Sequence, residues 1–126
     1  GEILVTSSSV ADLTAPGRAV YTATKAGLVG LVRAAALDYA DHGIRVNAIL
    51  PGTTDTDLVR RVAGMEGVPD AVWEVGAAQW AKSNVRGLKR MATAREIAAF
   101  IVAMASPELT YLTGAALSSD GGLGVG

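Results

Sequence analysis

The chain of 126 residues has no cysteine and a single histidine, His42. The first absence excludes a disulfide framework, a thiolate metal site and a cysteine nucleophile. The second leaves no imidazole cluster for a histidine-based site. Neither sign of charge is in excess: 11 Lys and Arg stand against 12 Asp and Glu, a net charge of −1. No basic stripe is available for a nucleic acid, and no polybasic segment for a lipid surface. Apolar runs stay short of the roughly 18 residues that a membrane span needs. Glu2 occupies the place where a signal peptide would be basic, and few apolar residues follow it. These features predict a cytoplasmic protein with no nucleic-acid partner, no membrane partner and no metal. Hydrophobic residues make up 50% of the chain and charged ones 18%, so a buried core is expected rather than disorder. The length suits at most one domain on the usual scale of about 100–200 residues. Gly1-Glu2 runs straight into Ile3-Leu4-Val5 without an opening Met, the beginning expected of a fragment.

Ile3 to Thr6 reads as a strand buried on both faces that ends in the polar turn Ser7-Ser8-Ser9. Pro16-Gly17 marks a loop. From Val20 to Ala40 the apolar residues Leu28, Leu31, Val32, Ala35 and Tyr39 recur at helical spacing, and Gly43 suits the C-terminal cap. Ile44 to Leu50 is a second buried strand, closed by Pro51-Gly52. Strand, helix and strand form a βαβ unit, which implies parallel strands and a right-handed crossover. Thr53 to Met91 is the least regular stretch and predicts short helices joined by mobile loops. Thr93-Ala94-Arg95-Glu96 is a capping box opening a helix from Ala94 to about Ser106, apolar at Ile97, Phe100, Ile101 and Met104. Gly114 to Ser119 is a third strand, and Asp120-Gly121-Gly122 a turn. The fold class expected is α/β, half of a doubly wound parallel sheet. Its first strand needs a partner on the outer edge, for which an N-terminal segment of the same chain is the natural candidate.

Tyr21 and Lys25 are four residues apart, so on a helix both project from one face. Such a pair also arises on solvated helices. Its address distinguishes it: the first turn of a helix that follows a strand and loop, at the end of the sheet where open α/β folds bind ligands. A phenol active near neutrality needs about 4 kcal/mol of help. An ammonium about 5 Å away at an effective dielectric near 20 supplies roughly 3 kcal/mol. A hydroxyl from the serine run, twelve residues before Tyr21 for Ser9 and thirteen for Ser8, could hold a substrate oxygen. Trp73 and Trp80, seven residues apart, share a helix face and could wall an apolar pocket or pack in a core. Asp55 and Asp57 could bind a cation, and Asn47 reads as support for the sheet.

The segments Gly1 to Ser8, Tyr21-Thr22-Ala23-Thr24-Lys25-Ala26-Gly27, Ile44 to Gly52, and Tyr111-Leu112-Thr113-Gly114 to Asp120-Gly121-Gly122 together resemble the C-terminal half of a short-chain dehydrogenase/reductase. The likeness covers the chain apart from the variable stretch 57–90. It implies a Rossmann-like fold, of which residues 1–126 are the C-terminal part and 57–90 the substrate lid, with the nucleotide-binding half lying elsewhere. It implies an NAD- or NADP-dependent oxidoreductase that interconverts a secondary alcohol and a ketone, assembled as a homotetramer or homodimer through the Val20–Ala40 helix and the C-terminal helix and strand. By position, Tyr21 would be the acid/base. Lys25 would favour its phenolate and bind the nicotinamide ribose, and Ser8 would orient the reacting oxygen. Pro51, Gly52, Thr54 and Thr56 would meet the nicotinamide carboxamide. Counts from Gly1 and from Tyr21 favour Ser8, whereas the following Val10-Ala11 favours Ser9 if the loop is one residue short. The family's glycine-rich phosphate loop, its NAD/NADP-selecting residue and its catalytic asparagine do not occur in this sequence, and Asp12 stands where glycine is common. Two rivals remain: a non-catalytic binding or scaffolding protein on the same fold, and an epimerase or dehydratase of the extended group.

Overall fold

The structure, a computed structural model, describes residues 1–125. Its elements are β1 (Glu2–Thr6), α1 (Ala19–Asp38), β2 (Arg45–Pro51), β3 (Thr54–Asp55), α2 (Asp57–Val62), α3 (Asp70–Asn84), β4 (Ala92–Thr93), α4 (Ala94–Met104) and β5 (Ala116–Ser119). Single 3₁₀ turns occupy Ser9–Ala11 and Ala40–His42. The main sheet has the order β1-β2-β5 with every pair parallel, Val5 opposite Ala48 and Ile49 opposite Leu117. A second, two-residue parallel ribbon joins β3 to β4, pairing Asp55 with Thr93.

β2 is central, and its residues Val46 to Leu50 are all buried. Strand alternation turns Val46, Ala48 and Leu50 to one face, where they pack on Val29, Val32 and Ala36 of α1 with Val5, Ala35 and Ala116 at the margin. The other face carries Ile49 and Asn47, both at 0% exposure. A buried amide must have partners. Asn47 donates through Nδ2 to Leu112 O (2.9 Å) and accepts at Oδ1 from Ala115 N (3.1 Å), so it ties β2 to the segment leading into β5. Arg45 extends the same tie, donating to Leu112 O, Ser106 O and the Glu2 carboxylate.

Several expectations need correction. Within the described residues β1 lies at the edge of the sheet and is not buried on both faces: it pairs on one side only, Ile3 is 44% exposed and Thr6 is exposed. α1 buries Val29, Val32 and Ala36, while Leu31 and Tyr39 of the expected stripe face outward. An alanine-rich helix has apolar residues on several faces, and contact with β2 selects one. Gly43 caps the 3₁₀ turn that follows α1, in the left-handed region at φ 67° that a side chain would strain. Within 53–91 the chain forms a 15-residue helix, α3, rather than short helices alone. α4 matches its expected start, and both halves of the Thr93–Glu96 capping box are present.

Candidate active site

The polar residues singled out above lie at or beyond the C-terminal ends of the parallel strands β1 and β2. The three serines have separate duties. Ser7 Oγ donates to Lys25 O (2.8 Å) and pins α1 to the end of β1. Ser8 is half-buried, extended (φ −166°, ψ 153°), and its Oγ accepts from Val10 N at 3.3 Å, capping the 3₁₀ turn. Ser9 is buried and lines a cavity of about 280 Å³ together with Asp12, Leu13, Ser118, Asp120 and Gly124.

Tyr21 and Lys25 lie in the first two turns of α1, which begins at Ala19. Tyr21 is 43% exposed, and the Lys25 ammonium stands 5.8 Å from the centroid of its ring. Lys25 Nζ also donates to Thr6 O at 3.3 Å. The helix is thus held to the strand at two atoms of one residue, its carbonyl by Ser7 and its ammonium by Thr6. That arrangement fixes the Tyr21–Lys25 pair beside the end of β1, with Tyr21 partly exposed.

Pro51 ends β2, and Gly52 follows against the C-terminal turn. A Cβ at Gly52 would lie 2.6 Å from Asp120 Cα, so only glycine fits. Asp120 closes its own turn, accepting at Oδ1 from Gly122 N and at Oδ2 from Gly124 N. Thr54 Oγ1 donates to Gly52 O (3.1 Å). Thr56 Oγ1 makes two long contacts, to Thr54 O and from Val59 N, both 3.4 Å. Hydroxyls so loosely engaged keep hydrogen-bonding capacity for a ligand. The donor set fits the nicotinamide end of a dinucleotide: hydroxyls at Thr54 and Thr56 for an amide, an ammonium at Lys25 for a ribose. No helix N-terminus with a glycine-rich turn that would cradle its phosphates occurs among the described residues.

Sequence reasoning overlooked two features. Asp120 and Ser118 join Ser9 at the cavity although they are more than a hundred residues away in the chain, and only the parallel pairing of β5 brings them there. Trp73, at 1% exposure, donates its indole N–H to Asp55 Oδ1 (2.8 Å), whereas Trp80 is 40% exposed. The two tryptophans share a side of α3 but not an environment, because seven residues advance the helix by about 10 Å. No group of three or more potential metal ligands occurs among the described residues, and no helix there is long and apolar enough to cross a membrane.

Residues 1–124 match the protein family described as enoyl-(acyl carrier protein) reductase. The chain is 39% identical over 122 residues to the short-chain dehydrogenase fogB of Aspergillus ruber, covering 97% of this chain and 41% of that one. Its structure superposes on the NADPH-bound short chain oxidoreductase of Pseudomonas aeruginosa that contains an atypical catalytic center. That match has a TM-score of 0.86 and 32% identity, covering all of this chain and 47% of the other. L-sorbose reductase of Gluconobacter frateurii, solved with NADPH and L-sorbose, gives a TM-score of 0.86 at 28% identity, with 48% of that chain covered. The chain spans less than half the length of each of these relatives.

Proposed function

The chain belongs to the short-chain dehydrogenase/reductase family and shares its Rossmann-like α/β sheet; from that premise we propose that it is the C-terminal, catalytic part of an oxidoreductase dependent on NAD or NADP. Residues 1–126 then form one part of a single domain, with 57–90 covering a small alcohol or ketone substrate. When bound, the nicotinamide supplies or accepts the hydride. The protein's own residues manage the oxygen and its proton. Tyr21 exchanges a proton with the reacting oxygen through its hydroxyl. Lys25, whose ammonium stands within 6 Å of that ring and is steered there by Thr6 O, favours the phenolate. Ser8 holds the reacting oxygen from the end of β1, and Thr54 and Thr56, with the Pro51-Gly52 turn, orient the carboxamide.

The observation that carries this reading is the fixed Tyr21–Lys25 pair at the end of a parallel sheet, the end where such sheets take their ligands. The test uses the intact protein. Tyr21→Phe is expected to abolish alcohol or ketone turnover while leaving NADH or NADPH affinity within about threefold of the parent. Ser8→Ala is expected to lower kcat by roughly a hundredfold, as for loss of one oxyanion donor, and Ser9→Ala far less. Full turnover by Tyr21→Phe would overturn the assignment, and a larger loss in Ser9→Ala than in Ser8→Ala would transfer the serine's role.

A further inference from the structure

Trp73 is the largest side chain in the described core, and its indole N–H must find an acceptor there. It finds Asp55, which lies between the two threonines assigned above to the carboxamide. The other side-chain hydrogen bonds of residues 52–56 stay within that segment or cap α2. Backbone bonds tie the same segment to β5 and β4, but among its side-chain hydrogen bonds the Trp73 bond is the one that reaches a distant element. A second set of contacts meets at the same ring. The Arg60 guanidinium of α2 lies 5.2 Å from the Trp73 ring centroid, and its Nη1 is 2.6 Å from Asp70 Oδ1 in the first turn of α3. One indole thus joins α2, α3 and the loop that follows β2.

We propose that Trp73 is a positioning residue that couples the seating of α3 to the shape of the 51–56 loop, so that holding the nicotinamide end of the cofactor and covering the substrate occur together. The coupling rests on the function proposed above. It implies that α3 cannot lift from its seat without pulling Asp55 and releasing the adjacent hydroxyls.

The intact protein tests it by steady-state kinetics and by ¹⁹F NMR of 5-fluorotryptophan, with the Trp73 signal identified as the one lost in Trp73→Phe. That variant keeps an aromatic ring and loses the N–H. Its cofactor KM is expected to rise about fivefold to tenfold, the worth of one charge-assisted hydrogen bond, with kcat within about twofold. Asp55→Leu, at an exposed position, should reproduce the effect, and Asp55→Asn, which keeps an acceptor oxygen, should restore it. NADH or NADPH should shift the Trp73 signal in the parent and in Tyr21→Phe, and leave it unmoved in Asp55→Leu. A purely structural tryptophan would lower the folded fraction without splitting KM from kcat. Should Trp73→Phe fail to fold, Asp55→Leu and Asp55→Asn decide the matter. An unchanged cofactor KM in Asp55→Leu, or a Trp73 signal blind to bound cofactor, would overturn the coupling. Turnover by Tyr21→Phe would overturn the acid/base assignment alone, whereas failure of both NADH and NADPH to bind would overturn the proposed function and the coupling together.

Discussion

At the scale of single residues, two glycines hold the closing turn of the chain in place. Gly52 meets Asp120 backbone, and a Cβ at Gly87 would come within 2.5 Å of Gly121 O, the same oxygen that accepts from Leu88 N at 2.8 Å. Asp120-Gly121-Gly122 is clamped between the loop after β2 and the segment after α3. Its two glycines adopt φ 64° and 81°, conformations that side chains rarely accept. Gly52→Ala would push a Cβ against the Asp120 backbone, a contact that no rotamer change relieves. The expected cost is about 1–3 kcal/mol, read as a lower urea midpoint of the intact protein with its m-value unchanged. The cofactor KM should rise with it, since Gly52 O also receives the Thr54 hydroxyl. The serine run teaches a related lesson. Three adjacent identical residues were indistinguishable as letters beyond a count of spacing, yet one pins a helix, one caps a turn and one lines a cavity.

At the scale of elements, α4 is the segment most fully written in its own sequence. Thr93 accepts from Glu96 N, and Glu96 accepts from Thr93 N in return. Arg90 adds a two-pronged ion pair to the same carboxylate, at 2.6 and 2.9 Å. The hydrogen bonds from Arg90 and then Thr93 hold the Glu96 carboxyl down to about 2, from an ordinary 4.5. A depressed carboxyl contributes stability that is complete above its unfolded value and is lost as pH falls toward its folded one. The intact protein should therefore lose part of its thermal stability between about pH 4.5 and 2. Glu96→Gln should remove that component, so that the difference in Tm between parent and variant shrinks as pH falls through this window. A gap of constant size would refute the link. α1 shows the opposite situation. Its letters offer several apolar stripes, and only β2 decides that Val29, Val32 and Ala36 turn inward.

At the scale of the whole molecule, the described residues bury a core around β2 and leave much apolar surface outward. Leu31 and Leu37 of α1 are 59% and 81% exposed, Val102 of α4 71%, and Tyr111 fully so. The family resemblance implies, as an expectation, subunit contacts through α1 and the α4–β5 region. Leu31→Glu with Leu37→Glu is then expected to move the intact protein to a smaller oligomer by light scattering, and an unchanged mass would remove α1 from the interface. The outer edge of β1 has no strand beside it among the described residues, and the chain spans less than half of its relatives.

The sequence by itself determined the elements whose signals are local. The Thr93–Glu96 cap and the Tyr21–Lys25 spacing each lie within about a turn of chain, where hydrogen bonding and helical periodicity act between near neighbours, and the βαβ order is a succession of such local patterns. The tertiary structure alone decided which face of α1 is buried, which serine faces the cavity, and that Trp73 reaches Asp55 while Trp80 stays half outside. Those outcomes depend on contacts between residues far apart in the chain. Close packing admits one of several stripes that the local pattern leaves equivalent.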